Sequence, residues 1–398
     1  MPYIGRSENF GVRTVFHFLA SNGDTSVSGA DVDGKNLSFA DGNYIDVYLN
    51  GVRLKHNEDY VTTTANTVSS ISAMDANDEV NVVVYDKFGV ADTVSASSGG
   101  TFTGAVDFKS DIKTTTLGTS NFRAGVNAGN SITSGGNYNV TIGDEAGTAL
   151  TTGDNNTAVG FEALTTEDGH GNNTAIGYRA LKTLNAGANG QNTAVGYLAG
   201  AAVTTGTENT FLGGQTADAL TTGSENTAIG YNALSADTLG SKTVAIGRGT
   251  LDAQNFTTAT DTYNVAVGYN AGTQVTTGIH NTIVGGLAGD SLTNADDNTV
   301  VGYSALSADT LGDGSTAIGK FTLANQNFTT ATSALNTAVG HSAGAAVTTG
   351  TVNTFIGAEA GESLTVGHHN VSVGIRSMEN NVNGSQSVAI GSFALQDQ

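Results

Sequence analysis

The stretch Asn264-Val265-Ala266-Val267-Gly268 is one copy of a five-residue word that recurs through most of the chain. The word reads Asn, then Thr or Val, then usually Ala, then Ile or Val, then Gly. From Asn139 onward there are fifteen copies, and most successive copies are about 17 residues apart. Two longer steps of about 21 residues create a larger period of about 72 residues, whose blocks begin at Asn192, Asn264 and Asn336.

This period decides the class of fold. A unit of about 17 residues is too short for the helical-pair repeats of about 33 residues or for a propeller blade of about 40 residues. It suits one coil of a β-solenoid, in which every coil adds one strand about 4.8 Å from the previous strand. The sequence therefore predicts an all-β protein in which residues 139–398 form a parallel β-roll solenoid of fifteen coils, about 70 Å long.

The two faces of the predicted strand carry different side chains. In the last copy of the word Val388 and Ile390 are β-branched, whereas Ala389 between them is small. We expect the β-branched face to fill the interior of the coil and the Ala face to lie against a partner subunit, because Ala permits close approach. Phe211 and Phe355 lie two of the long blocks apart, and we expect them to occupy equivalent positions near that interface.

The polar ends of the word also carry structural information. Asn opens twelve of the fifteen copies, and Thr243, Ser315 and Ser387 replace it in the others. Stacked at one corner of successive coils, the Asn amides are expected to hydrogen-bond along the stack. The closing Gly allows the chain to bend or another backbone to approach.

Composition excludes several classes of protein. The chain of 398 residues has 54 Gly, one Pro and no Cys, so neither disulfides nor Cys-based metal or redox sites are possible. With 36 acidic and 15 basic side chains its net charge is −21, which disfavours binding to nucleic acid or to an anionic membrane surface. No apolar run approaches the roughly 20 residues of a membrane span, and Met1–Glu8 lack the plan of a signal peptide. We expect no membrane insertion.

The first 95 residues lack the repeat and have ordinary strand patterning. Residues 44–49 alternate in polarity, the pair Asn50-Gly51 follows, and residues 52–54 return, which predicts a hairpin with a type I′ turn. Residues 14–19 and 80–85 are further predicted strands. Residues 1–95 are therefore predicted to form a small β-sandwich or barrel, with residues 96–138 as a linker and transition segment.

The repeat and the N-terminal pattern each resemble a known family. The words Ser387–Gly391 and Asn264–Gly268 resemble the head repeat of trimeric autotransporter adhesins, and the likeness covers residues 139–398. It implies a left-handed parallel β-roll, intertwined or packed as a homotrimer, although the coils of that family are somewhat shorter. Residues 44–54 with Asp59-Tyr60 resemble a module near the N-termini of phage tail-fibre proteins, and residues 99–106 resemble a fibre-shaft word.

These resemblances together imply a homotrimeric phage tail fibre, a structural protein of the virion. Residues 1–95 would bind a tail, nozzle or baseplate protein, and the roll or its distal tip would bind a host glycan or an outer-membrane receptor. Because the unit Ser387–Leu395 has no visible cap, likeness to fibres with a self-cleaving chaperone implies that Gln398 is a processing product or the attachment site of a tip. The alternative is a secreted or surface-layer bacterial adhesin without enzymatic activity.

Candidate chemical groups fall in turns between the coils. His368 and His369 could form a metal ring around a trimer axis, but they precede Asn370 in an intercoil turn, which favours a solvated turn. Residues 294–297 are rich in Asp yet lack the spacing of calcium β-rolls and EF-hands.

Carboxylate pairs raise a third hypothesis, a depolymerase that cuts polysaccharide. The pairs Glu167/Asp168 and Asp296/Asp297 lie in turns, and no enlarged loop builds a cleft around them. Thr-Thr-Gly recurs too irregularly for an ice-binding face. The sequence therefore predicts no enzymatic activity, no catalytic residue, no cofactor and no metal ligand.

Overall fold

The computed structural model describes residues 13–85 and 117–397. The chain divides into two compact units, Met1–Ser110 and Asp111–Gln398, which are considered separately. The described residues are almost entirely strands and turns, with a short 3₁₀ helix at Gly42–Tyr44. None of these residues belongs to a helix with the length and apolar character needed to cross a bilayer.

The N-terminal unit contains an antiparallel sheet of four strands in the order β1-β6-β3-β4 and a separate ribbon of two. The predicted hairpin is present: Leu49 pairs with Val52, and Asn50 and Gly51 between them have φ of 53° and 79°, as a type I′ turn requires. The six strands are β1 (Arg13–Leu19), β2 (Val27–Ser28), β3 (Ile45–Leu49), β4 (Val52–Arg53), β5 (Thr67–Val68) and β6 (Glu79–Tyr85).

One hydrophobic core lies under both parts of this unit. Val47 and Val82 from the four-stranded sheet are fully buried, and Val27 and Val68 from the ribbon belong to the same cluster. The alternation of β3 explains this packing, because Ile45 and Val47 face the core while the side chains between them point away.

The second unit is a parallel β-solenoid with sixteen stacked strands. The prediction of an all-β chain with a parallel solenoid of about 17 residues per coil is thus confirmed. The stacked strands are β7 (Phe122–Ala124), β8 (Val140–Ile142), β9 (Thr157–Val159), β10 (Thr174–Ile176), β11 (Thr193–Val195), β12 (Thr210–Leu212), β13 (Thr227–Ile229), β15 (Val244–Ile246), β17 (Val265–Val267), β18 (Thr282–Val284), β19 (Thr299–Val301), β21 (Thr316–Ile318), β23 (Thr337–Val339), β24 (Thr354–Ile356), β25 (Val371–Val373) and β26 (Val388–Ile390).

The stack begins one coil earlier than the fifteen units that start at Asn139. Strand β7 pairs in parallel with β8, so residues from 121 onward, which the sequence assigned to the 96–138 transition segment, already belong to the sheet. Its word ends in Ala124-Gly125, where the other words have Ile, Val or Leu before the Gly. Loss of that branched residue hid the copy from the sequence pattern.

The two longer steps of the repeat produce enlarged coils with extra strand pairs. Strand β14 (Gly240–Ser241) pairs in parallel with β16 (Thr260–Asp261), and β20 (Gly312–Asp313) pairs in the same way with β22 (Thr332–Ser333). Phe256 and Phe328, from the inserted residues, are buried. The extra length therefore widens the coil and brings its own apolar side chain to fill the added space.

The predicted orientation of the strands was wrong. The middle residue of the strand, including Ala228, Ala245 and Ala266, is 0% exposed within a single chain, so the Ala face lines the interior of the coil. The β-branched residues on either side of it point outward and are half-buried or exposed. Phe211 and Phe355 do occupy equivalent positions, but inside the coil rather than at an interface.

The remaining interior space explains why small residues face inward. Four residues after each word's Gly the backbone is left-handed, with φ of 52° at Leu164 and 58° at Gly200, so the same geometry accepts Leu or Gly. Where this position is Gly or Ala, the residue three further on is Leu, Val or Ile. Where it is Leu or Met, that residue is buried and polar in six of the seven coils for which the structure describes it: Glu167, Asp237, Gln254, Asp309, Gln326 and Asn381.

The predicted stack of Asn side chains is present. The buried Asn209 is typical: its Oδ1 accepts a bond from the backbone N–H of Asn226 (2.9 Å), and its Nδ2 donates to the carbonyl of Gly223 (2.9 Å). Both partners belong to the next coil, so each Asn joins two coils at a corner that has no access to water.

Side chains in the enlarged coils bridge the positions where Asn is absent. Gln254 Nε2 donates to the hydroxyl of Thr243 (3.1 Å), and Gln254 Oε1 accepts from Nδ2 of Asn264 (3.0 Å). Asp237 accepts a further bond from Gln254 Nε2 at 2.7 Å. The same network recurs one block later through Ser315, Gln326 and Asn336. The polar stack thus continues across both insertions.

The Gly that closes the word permits a close approach between coils. Gly213 has φ of 145°, and a Cβ atom on it would lie 2.5 Å from the carbonyl oxygen of Gly230. Gly230 stands in the same relation to Gly247. Any side chain at this position would therefore both strain the backbone and separate the coils.

Loss of one Asn from the stack should weaken the roll. Replacing Asn209 with Ala leaves the N–H of Asn226 and the carbonyl of Gly223 buried and without these partners, at a cost of about 2–4 kcal/mol. Replacing the exposed Asn185 with Ala is the matched control and should change stability by less than about 0.5 kcal/mol. Chemical denaturation measures both, and equal effects of the two substitutions would contradict the role assigned to the stack.

Interior volume should be exchangeable between two positions of one coil. A Cβ atom on Gly200 would lie 2.8 Å from the ring of Phe211, so Gly200→Leu alone should overpack the coil, and Phe211→Ala alone should cost about 3–5 kcal/mol. The double variant recreates the arrangement of coils that contain Leu and Ala. We expect the double variant to lose less stability than the two single variants lose together. A double-mutant cycle followed by thermal denaturation measures this difference.

Candidate functional site

The histidines and acidic turns singled out in the sequence lie at the surface of the roll. His368 and His369 are exposed, and His368 Nδ1 accepts a bond from the backbone N–H of Thr351 (3.0 Å). Asp296 Oδ1 accepts from the N–H of Ile279 (2.8 Å), while Asp297 lies 3.2 Å from the imidazole of His280. Burial raises the pKa of Asp296. These turn residues thus bond to neighbouring coils.

Glu167 behaves differently from its neighbour Asp168. Glu167 is fully buried, and its oxygens accept bonds from the N–H groups of His170 and Ala186, both at 3.2 Å. The His170 imidazole lies 3.2 Å from the same carboxylate, whereas Asp168 remains 53% exposed. The pair is therefore not a pair of acids facing one cleft: one member is a structural acceptor and the other faces solvent.

Two clusters bring three potential metal ligands within 4.8 Å of one another, namely Glu167/Asp168/His170 and Glu359/Glu362/Glu379. In the second cluster Arg376 Nε lies 2.5 Å from Glu359 and 3.6 Å from Glu379. Burial, and then the neighbouring carboxylates Glu359 and Glu379, raise the pKa of Glu362. Backbone N–H groups thus bond Glu167 in the first cluster, and Arg376 pairs with two of the three carboxylates in the second.

The outward side of the stacked strands forms a long uncharged surface of Thr and aliphatic side chains. We call it the outer strand face and define it by the first and third residues of each stacked strand. The first residue is Thr or Val in fifteen strands, and the third is Ile, Val or Leu in the same fifteen. No charged side chain occupies either position in the sixteen described strands. Ile176, Leu212 and Ile356 on this face are 37%, 47% and 43% exposed.

Beside this face runs a row of aromatic residues that the sequence reasoning missed. The residue directly after the word's Gly is exposed in most coils, and in three consecutive coils it is aromatic. Phe161, Tyr178 and Tyr197 stack on one another, with ring centroids 5.6 Å and 5.3 Å apart and planes within 15° of parallel. We call the row the aromatic column: Phe161, Tyr178, Tyr197, Gly214, Tyr231, Arg248, Tyr269, Gly286, Tyr303, Lys320 and His341. The signal that could have revealed it is the recurring pair Gly-Tyr.

A cation continues the column where an aromatic ring is missing. The Arg248 guanidinium lies 5.8 Å from the ring of Tyr231 and 5.7 Å from that of Tyr269, so it fills the coil between them. Lys320 lies 5.9 Å from the ring of Tyr303, one block later. Within the described residues, no carboxylate forms an ion pair with either cation.

The N-terminal unit has an open pocket of about 290 Å³. Asp46 and Arg53 form an ion pair on its wall at 2.6 Å, and Tyr60 stacks on His56 with centroids 5.0 Å apart. The Tyr60 hydroxyl donates to the carbonyl of Ile45, which fixes the ring in place. The pocket therefore presents the Asp46–Arg53 ion pair beside a buried tyrosine.

Searches against protein-family models, curated proteins and solved structures found no match to this chain. The arrangement of its own residues is therefore the basis for any functional conclusion.

Buried carboxylates should make the roll more stable in mild acid. Burial raises the pKa of Asp290, and its Oδ1 has no hydrogen-bond partner among the described residues. A raised pKa in the folded state means that stability falls as pH rises from the ordinary value near 4 through the raised value. Asp290→Asn should therefore raise the denaturation temperature at pH 7.5 but not at pH 4.

The gain at pH 7.5 should be on the order of 0.5 kcal/mol, because Asp290 is only half-buried and water screens its charge. Asp144→Asn, at an exposed position of the same roll, is the matched control for the loss of one negative charge. A profile for Asp290→Asn parallel to that of the unmodified protein would contradict this assignment.

Proposed function

We propose that this protein is a structural fibre without enzymatic activity, a homotrimeric phage tail fibre in which residues 1–95 attach to the tail and the roll reaches toward the host surface. The observation that carries the proposal is the outer strand face of the sixteen-strand solenoid. A parallel sheet is normally covered on both sides, and here one side is open along its whole length.

The size of this face suits an interface between copies of the chain. Sixteen strands at about 4.8 Å extend for about 75 Å, and three residues per strand give a width of about 10 Å. The product is a footprint of about 750 Å² per chain, of the same order as the surface that one partner contributes to a stable interface, and in a trimer it is shared between two neighbours. The branched aliphatic residues at the third position supply its apolar part, and exposed apolar residues that continue along one side mark interaction surfaces.

Charge supports association through this face rather than another. The chain carries a net charge of −21, so copies repel one another at most orientations. The outer strand face is free of charged side chains in the described strands, and it lets apolar residues meet without bringing carboxylates together. The homotrimer thus forms through the branched residues of the word, and the Ala residues remain inside each coil.

The interior also fits a passive shaft. Leu, Ala and the Asn stack fill the coil, and the buried carboxylates accept hydrogen bonds from neighbouring backbone. In the N-terminal unit the pocket beside Asp46 and Arg53 supplies a rigid polar surface for a tail protein. The filled interior and the N-terminal pocket thus support a stiff spacer that is anchored at one end.

Charge introduced into the outer strand face should prevent assembly while leaving the coils folded. Ile229, Ile246 and Val267 are third-position residues of consecutive strands, and their replacement with Glu would place three carboxylates in the interface. We expect monomers in analytical ultracentrifugation, with strand content by circular dichroism retained. The matched control replaces the exposed turn residues Val352, Val366 and Val382 with Glu, which should leave trimers intact.

Wild-type protein that sediments as a folded monomer at micromolar concentration would overturn the trimer. The place of the protein is tested by electron microscopy of phage particles labelled with antibody against residues 1–95. Label at the tail, close to the particle, supports the proposed attachment. Label on the surface of uninfected bacteria would instead support the adhesin.

A further inference from the structure

We propose that the aromatic column contains two binding slots for pyranose rings, one over Gly214 and one over Gly286. The inference deepens the proposed function, since it rests on a fibre that contacts a host surface. In each slot glycine interrupts the column between two tyrosines, Tyr197 and Tyr231 in the first and Tyr269 and Tyr303 in the second.

The geometry of the slots follows from the neighbouring coils. Where the column is continuous, rings lie one coil apart and cover each other, as in Phe161, Tyr178 and Tyr197. Where the column has Gly, the flanking rings are two coils apart, about 9.6 Å along the stack. The glycine itself therefore places no side chain between the two flanking rings.

Exposure agrees with this arrangement. The four tyrosines that flank the glycines are 49–55% exposed, whereas Phe161 and Tyr178 in the continuous part are 39% and 37% exposed. Arg248 fills the coil between Tyr231 and Tyr269, so the rings have their open faces toward the glycines. Each slot is consequently bounded by two aromatic faces.

The walls of the slot suit the apolar C–H face of a pyranose. The ring after each glycine leans over it: a Cβ atom on Gly214 would lie 3.6 Å from Cδ2 of Tyr231, and one on Gly286 would lie 3.7 Å from Cδ2 of Tyr303. The gap between the ring faces is therefore narrower than the two-coil spacing of about 9.6 Å. A sugar would place one C–H face on the open ring of the preceding coil and its edge against the leaning ring.

Polar groups beside the first slot suit hydroxyl groups of a sugar. The Gln215 side chain follows Gly214 and accepts a bond from the Tyr231 hydroxyl (3.0 Å), so its amide is held at the rim. Oδ1 of Asn232, the residue after Tyr231, is buried and has no hydrogen-bond partner among the described residues.

The repetition of the slot favours a polymeric ligand. Gly214 and Gly286 are one long block apart, which is four coils or about 19 Å along the roll. Two slots with the same Tyr-Gly-Tyr order along one edge match a polysaccharide, in which similar rings recur along a chain. No position of the column from Phe161 to His341 carries a carboxylate, so an acidic group does not stand between the rings.

The test fills the slots without removing any aromatic residue. A Cβ atom on Gly214 would make ordinary contact, 3.6 Å from the Tyr231 ring, and five other coils carry Tyr at this position, so Gly214→Tyr and Gly286→Tyr should fold. Binding to the full-length protein is measured by isothermal titration with four hexasaccharides: α-1,4-linked glucose, β-1,4-linked glucose, N-acetylglucosamine and galacturonic acid.

We expect at least one hexasaccharide to bind. Because a hexasaccharide is long enough to reach both slots, Gly214→Tyr should weaken its binding, and the double variant Gly214→Tyr/Gly286→Tyr should bind at least about tenfold more weakly than the wild-type chain. Tyr263→Ala removes an exposed tyrosine outside the column and should change nothing. A general affinity for aromatic surfaces would instead make the filled variants bind more tightly.

Two results would overturn the slots: no binding of any of the four hexasaccharides to the wild-type chain, or unchanged binding by a folded double variant. Neither result bears on the fibre, which the sedimentation and labelling experiments test separately. Conversely, sugar binding by a protein that is absent from phage particles would keep the slots and refute the tail fibre.

Discussion

The rest of the roll depends on one constraint: every coil must place its backbone directly over the next, at the spacing of hydrogen-bonded strands. Strand residues pair one to one, as Ala228 does with Ala245, through all sixteen strands. This fixed spacing makes the Asn amide the right length to bond the next coil, and it leaves no space for a Cβ atom between Gly213 and Gly230. The Asn that opens the word and the Gly that closes it are therefore required by the distance between neighbouring coils.

The same constraint explains what sequence reasoning could predict. Residues that contact their own equivalents in the next coil must recur at the period of the coil, so the word disclosed the strands, the turn glycines and the Asn stack. The hairpin at Asn50-Gly51 was predictable for a local reason, because a type I′ turn needs two residues with positive φ. The coil at Asn121 was missed because Ala124 replaces the branched residue.

The direction in which the strands face could not be predicted in this way. Alternation shows that the two faces differ, but it does not show which face is inside. That choice depends on the volume enclosed by the rest of the coil. There the fourth and seventh residues after each word's Gly supply Leu, Val or buried polar groups. They leave room for Ala opposite them, or for Phe211 where the facing position is Gly200. The aromatic column was overlooked because its residues follow the word instead of belonging to it.

The interior residues and the column residues of the roll vary independently between blocks. The third block keeps the interior pair Gly344 and Phe355, which matches Gly200 and Phe211 of the first block. Yet its column carries His341 and Ala358 where the first block has Tyr197 and Gly214. The interior therefore tolerates changes in the column, and packing does not require the Tyr-Gly-Tyr order of the first two blocks. We attribute that order to what the exposed edge contacts.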